Sequence, residues 1–464
     1  MKEDFIKLAN VCGNSLTHIT IGGLFEMNSD GVRPDIILQK CPNLVKLDFR
    51  GSIYDEKWAH ELAGFKHFNL SDASLRFYTA DFDIQPFLEA TPKLRRFCLY
   101  MNNPALGGSL PKSIQKFCRE LETFVLYMHA DQIDDNDESD STTSMSAKRI
   151  NSTNDPNNST MLLRQEKQQE RKGLQHIVFQ EDFVHSEASS VILLPLVEKF
   201  NNQLISLDLG KSGSVNDDVL LRISELILPS LKHLTLKGSS PWDVSSVSGL
   251  RSIFENGAMP SLTHIALHQL DTIVDTVLDA IASSCPHFQN ILLDNCQGIT
   301  TDGMIQFLNR LAGQLRGITV EQSGFALTPG FLQCMATQLQ VLEFLKIEAF
   351  QYDFLALADV EMFLDIRNHE QKKNENRVRR MMERLDIYFV FDSSSDYPGK
   401  ARVDRLLEKM DSSAKEWSYT MVMPYEEVQV VRDCGEDVYD RVTHDEFRRR
   451  KKKERTAISD SLSA

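Results

Sequence analysis

The chain has 464 residues, a formal net charge of −15, 42% hydrophobic residues and 25% charged ones. That length outgrows one ordinary globular core, so it implies several domains or a stack of repeats. The acidic balance argues against a general phosphate-binding surface, so no nucleic-acid partner is expected.

Residues 5–11 read as a short helix. Leu16, Ile19 and Ile21 then open a series of apolar triplets with the spacing of a short strand buried on one face. The series continues at Leu44/Leu47/Phe49, a weaker Phe65/Phe68/Leu70, Leu94/Phe97/Leu99 and Leu121/Phe124/Leu126. It resumes at Leu174/Ile177/Phe179, Leu204/Leu207/Leu209, Leu231/Leu234/Leu236, Leu262/Ile265/Leu267 and Phe288/Ile291/Leu293. It ends at Leu315/Ile318/Val320 and Leu342/Leu345/Ile347, the last with a rival frame at Leu339/Leu342/Phe344. From Leu204 onward the triplets recur every 26 to 31 residues. Between them, residues 219–228, 274–283 and 304–312 carry apolar side chains at helical spacing. Pro42, Pro92, Pro229, Pro260 and Pro286 mark re-entry into the strand.

The triplets divide the chain. Residues 1–130 hold N-terminal repeats and 173–350 hold C-terminal repeats. Residues 131–172 between them begin DQIDDNDESD and continue rich in Ser, Thr and Asn; they are expected to be a disordered acidic and polar insertion. Beyond residue 350 the period loosens. A charged helix is expected over 359–385, strands over 385–391 and 417–423, and a helix over 402–410. Residues 351–444 thus read as an irregular α/β cap. Residues 445–464 read as a basic polar tail, in which the Arg and Lys cluster at 448–455 suits a nuclear-import address or an acid-binding tail. No apolar run reaches the roughly 18 residues of a membrane helix. The first residues lack a secretory core, so a cytoplasmic or nuclear protein with no membrane partner is expected.

Residues 285–308 carry one complete unit, CPHFQNILLDNCQGITTDGMIQFL. Its Phe288, Ile291, Leu293 and Cys296 follow the L-x-x-L-x-L-x-x-N/C pattern of a leucine-rich repeat. A strand and a helix per unit predict an α/β solenoid, a horseshoe with a parallel sheet on the concave face and helices on the convex face. Cys41, Cys118 and Cys285 each stand three residues before a triplet, as small buried hydrophobes at a repeat joint. The run C-P-x-F-x-x-I-x-L-x-x-C-x-x-I-T-x-x-G, echoed by Cys41, Pro42, Asn43 and Leu44, resembles the cysteine-containing repeats of F-box/LRR proteins. The resemblance spans about residues 10–350. It implies a curved surface that selects substrates for an SCF-type ubiquitin ligase, with ligase subunits as further partners. The F-box pattern itself is not seen, and fifteen residues before Leu16 leave no room for one. The expectation is a shortened chain or a partner over that end. The alternative is a stand-alone scaffold of the ribonuclease-inhibitor-like kind.

No nucleophile elbow, phosphate loop, zinc-protease or dinucleotide motif is present, so a non-enzymatic protein without cofactor, metal or small-molecule substrate is expected. Positions alternating with the triplets face outward. Arg50, Arg96, Tyr100, Tyr127, Asp208, His233, Lys237, His264, His268 and Asp294 are the candidate protein-binding residues of the concave face, with Lys46, Asp48 and Glu321 beside them. Arg and Tyr are the types that most often anchor interfaces. His18, His67, His176, His233 and His264 each precede the second apolar residue of a triplet and predict a histidine column. Within it, His233 and His264 on adjacent strands are close enough for a metal, which lacks a third ligand.

Overall fold

The computed structural model describes residues 2–22, 32–53, 56–77, 83–101, 109–128, 173–181, 188–212, 215–238, 246–321, 328–349, 357–373, 382–390, 400–422, 426–433 and 436–443. Their strands form one sheet whose order follows the chain. The strands are β1 (His18–Ile21), β2 (Lys46–Ile53), β3 (Asp72–Phe77), β4 (Arg96–Met101), β5 (Thr123–Met128), β6 (His176–Glu181), β7 (Ser206–Ser212) and β8 (His233–Lys237). They continue as β9 (His264–His268), β10 (Asn290–Asp294), β11 (Gly317–Glu321), β12 (Phe344–Ala349), β13 (Met382–Val390), β14 (Ala414–Val422), β15 (Glu426–Asp433) and β16 (Glu436–Thr443). β1 to β14 are parallel, and β15 and β16 fold back antiparallel.

The helices between them are α1 (Lys2–Cys12), α2 (Pro34–Lys40), α3 (Gln85–Ala90), α4 (Leu110–Phe117), α5 (Leu194–Phe200) and α6 (Asp217–Glu225). After them come α7 (Val247–Glu255), α8 (Asp275–Ser284), α9 (Thr301–Arg310), α10 (Pro329–Gln338), α11 (Leu357–Lys373) and α12 (Lys400–Ser413). Parallel strands need such crossovers, and the helices cover one face of the sheet. The fold is a leucine-rich-repeat horseshoe, with the sheet on the concave face and the helices on the convex face.

The triplets build the core. Their middle residues stack across the sheet in one register, Leu47, Ala73, Phe97, Phe124, Ile177, Leu207, Leu234, Ile265, Ile291, Ile318, Leu345 and Leu385. All are buried. The helices answer with residues such as Val277, Leu278 and Ile281 of α8 and Met304, Phe307 and Leu308 of α9. Side chains start several helices. Thr300 Oγ1 accepts from the Gly303 amide at 3.0 Å, and Asn216 Oδ1 accepts from Val219 at 3.1 Å.

Entry into each strand is also repeated. Among the described residues, twelve carbonyls from Thr17 to Glu343 each accept two amides of the next repeat, as Thr263 accepts from Gln289 and Asn290. The cysteine joints behave as expected. Cys41, Cys118 and Cys285 are buried, and the carbonyl of each accepts the amide of the first triplet residue.

Two expectations are corrected, the third triplet and the helix over 359–385, and the expected frame of the final triplet stands. The third triplet is Leu70/Ala73/Leu75, since Leu47 pairs with Ala73 and Phe68 is 64% exposed. His67 therefore leaves the histidine column; it is 2% exposed and sits in the joint before β3. The helix expected over 359–385 is α11, described over Leu357–Lys373, and residues 382–385, expected within it, belong to β13, which begins at Met382. The final triplet is Leu342/Leu345/Ile347, because Leu345 pairs with Ile318. The insertion at 131–172 and the tail at 445–464 lie outside the described residues.

Candidate functional site

The concave face is set by the same register. Residues before, between and after the last two triplet positions point away from the core and stand about 4.8 Å from their neighbours on adjacent strands. Three clusters occupy it.

The first lies on β3 to β5. Tyr100 and Tyr127 are partners in register, and their rings stack at 4.7 Å with 15° between planes. The Arg76 guanidinium lies 5.8 Å from the centre of the Tyr100 ring, within cation–π range. Cys98, two residues before Tyr100 on the same face, is the register partner of Ser74. Burial, then the neighbouring Cys98, pushes the Tyr100 hydroxyl up to about 12, and burial also raises Tyr127. Both phenols stay protonated donors. Arg96, at the other end of β4, is exposed. The Arg50 side chain lies outside the described residues. Arg76 was missed from sequence because the third triplet was misplaced; the corrected frame puts it beside Tyr100.

The second cluster is at the centre. Asp208 stands between the triplet residues of β7, and its Oδ1 is buried without a hydrogen-bond partner among the described residues. Burial raises its carboxyl pKa, while His268, Lys237 and the Gly210 amide pull it down. Lys237 and His268 are register partners on β8 and β9. His268 Nδ1 lies 3.1 Å from Asp294 Oδ2 on β10.

The third cluster is a polar chain beginning at the imidazoles. The rings of His233 and His264 lie 4.4 Å apart. Thr263 Oγ1 donates to the Lys232 carbonyl at 3.1 Å and so receives Nδ1–H of His264 at 2.8 Å. That leaves His264 Nε2 as the acceptor for Asn290 Nδ2 at 2.8 Å. Burial lowers the pKa of both histidines, and each feels a neighbouring histidine besides. His264 is thus neutral, with both nitrogens engaged. A metal shared with His233 would break one of these bonds. Among the described residues no three His, Cys, Asp or Glu side chains gather to hold a metal ion.

The register thus brings Tyr100 to Tyr127, Lys237 to His268, His268 to Asp294 and His233 to His264; Asp208 joins the central cluster through the charges of His268 and Lys237, and Arg96 stands apart. Asn290, Gly317 and Phe344, all on the same face, were not anticipated; neutral and missing side chains carry no charge or motif signal.

These features define a leucine-rich-repeat solenoid with an open, decorated inner sheet. No family model matches the chain, and no curated protein matches it. Among solved structures it is similar to the "TLR13-ssRNA13 complex", at 13% identity and a TM-score of 0.34. The match covers 68% of this chain and 42% of that one, so this chain spans less than half of that chain's length. No described helix is long and apolar enough to cross a membrane.

Proposed function

We propose that the chain is a non-enzymatic protein-interaction module that grips a protein partner with its concave sheet. The observation that carries this reading is the Arg76, Tyr100 and Tyr127 stack, partly exposed on the sheet face opposite the described helices. Stacked aromatics and a guanidinium give a large contact area at little entropic cost, because they are already ordered by one another. The extended inner face of a solenoid is the natural place for such an anchor. The finer reading, supported by the resemblance of residues 285–308, is substrate recognition for an SCF-type ubiquitin ligase.

Cross-linking of the full chain in native extract, followed by mass spectrometry, tests both levels. Cross-links from a protein partner should map to β3–β5. They should vanish in the Tyr100→Ala/Tyr127→Ala variant and persist in Arg222→Ala on exposed α6. Loss with Arg222→Ala alone would overturn the concave reading. Ligase subunits in the same preparation would support the finer one, and a partner without them leaves a stand-alone scaffold.

A further inference from the structure

Between β8 and β12 the concave face dips into an open hollow of about 310 Å³. Nearly absent side chains create it. Ala266 stands where neighbouring strands carry Thr235 and Leu292, and Gly317 stands between Asn290 and Phe344. Asn290 and Phe344 are two strands apart, about 9.6 Å at the usual spacing. Leu292 and Thr319, two residues further along β10 and β11 on the same face, also line the hollow, as do His264 and Phe344.

The hollow also has a fixed polar atom. The Asn290 amide nitrogen is held by His264, so its Oδ1 turns the other way, over Gly317. A Cβ at residue 317 would meet that oxygen at 2.1 Å, so glycine is what leaves the amide this position. An acceptor is thus presented in a mostly apolar cleft. Beside the hollow, Asp294, Glu321 and Glu348 occupy consecutive register positions. Lys346 reaches Glu321 at 2.5 Å and Glu348 at 3.5 Å, leaving the strip net negative.

We propose that this hollow receives a tryptophan or tyrosine side chain of a partner polypeptide whose flanking residues are basic. The proposal deepens the concave-face reading and rests on it. An aromatic ring in the hollow brings its edge N–H or O–H to the Asn290 oxygen, in a site where an unpaired donor would be costly. The carboxylate strip then selects cationic neighbours along the peptide.

The test uses the full chain and three probes, N-acetyl-Lys-Trp-Lys-amide, its Lys-Ala-Lys analogue and its Glu-Trp-Glu analogue, read by saturation transfer to the indole and methyl protons. The Lys-Trp-Lys probe should show transfer to its indole. The alanine analogue should show none, and the glutamate analogue should bind at least threefold more weakly at low salt. Ala266→Phe should abolish the transfer and Arg222→Ala, on exposed α6, should leave it intact. In case the filled variant misfolds, a Lys-benzoylphenylalanine-Lys probe should photo-cross-link to wild-type β10–β12. Absent transfer, transfer unchanged in a folded Ala266→Phe, or cross-links elsewhere would overturn the hollow. Equal binding of the glutamate probe would overturn the basic flank. Either failure leaves the concave-face reading standing if partner cross-links still map to β3–β5.

Discussion

His67 Nε2 lies 2.9 Å from the carbonyl oxygen of Cys41, one repeat earlier, while His67 Nδ1 accepts the Leu70 amide at 3.1 Å. The ring is therefore neutral, with its proton on Nε2, and it closes a buried joint that a hydrophobic side chain could not satisfy. Burial lowers its pKa below the usual 6.5, against the smaller upward pull of the Cys41 carbonyl. The unfolded chain takes up this proton first. The contribution to stability is full above pH about 6.5 and is lost as pH falls from there toward the folded-state pKa. Urea unfolding at pH 7.5 and 5.5 should show this loss, and His67→Leu should remove that part of it. The variant should also cost about 1–3 kcal/mol at pH 7.5, because it strands the Cys41 carbonyl and the Leu70 amide.

Arg367 plays the equivalent part at the other end of the solenoid. Fully buried on α11, it donates to the carbonyls of Leu339 at 2.6 Å and Leu342 at 3.4 Å. Leu339 stands three residues before its triplet, as Cys41 does. Arg367→Met should destabilise the fold by about 1–3 kcal/mol through the carbonyls it leaves bare. Arg367→Lys, which keeps the charge but loses the fork, should not restore wild-type stability. Hydrogen exchange should rise first in α11 and β13. Unchanged exchange in Arg367→Met would contradict the role.

Gly303 makes room for a carboxylate. Asp275, at the start of α8, accepts from the Thr300 amide at 2.9 Å and from its hydroxyl at 2.6 Å. A Cβ on Gly303 would meet the Asp275 carboxylate at 2.0 Å. Gly249 and Asp217 repeat the arrangement between α6 and α7, where Asp217 accepts from the Ser246 amide at 2.7 Å. Gly303→Ala should cost about 1–3 kcal/mol by overpacking. Adding Asp275→Ala should cost less in that background than in wild type, a coupling that thermal or urea melts of the four proteins would measure.

Thiol reactivity should be graded. Burial pushes the thiols of Cys118, Cys285 and Cys296 up to about 12, so they are protonated and shielded in the native chain. Cys12 on α1 is partly exposed. Brief treatment with N-ethylmaleimide at pH 7.5 should label Cys12 well before those three, as peptide mapping would record. Early labelling of Cys285 would contradict the packed joint.

Most of the fold was legible because it is carried by repetition. Leu94, Phe97 and Leu99, or Leu342, Leu345 and Ile347, announce a strand by bulk and spacing alone. Repeat three escaped because Ala73 supplies little bulk, while Phe65 and Phe68 imitate the spacing nearby. The closing hairpin escaped although β15 and β16 are valine-rich and flank Cys434 and Gly435, a two-residue connection suited to a hairpin. Of the site, Tyr100 and Tyr127 were visible from their place after the last triplet residue. The hollow was not, because Ala266 and Gly317 act through what they lack. The fixed orientation of Asn290 depends on Thr263 and His264 from the preceding repeat, and such links between units are invisible until the register is known.

The doubly used carbonyls from Thr17 to Glu343 tie every unit to the one before and the one after. With strand order following the chain, no distant segment among the described residues closes the sheet into a ring. The molecule is in this sense a spring without a keystone. A lesion in one coil burdens two neighbours and spares the remainder, tension applied to the ends is shared evenly along the inner rim, and a partner seated across several coils would act as a splint.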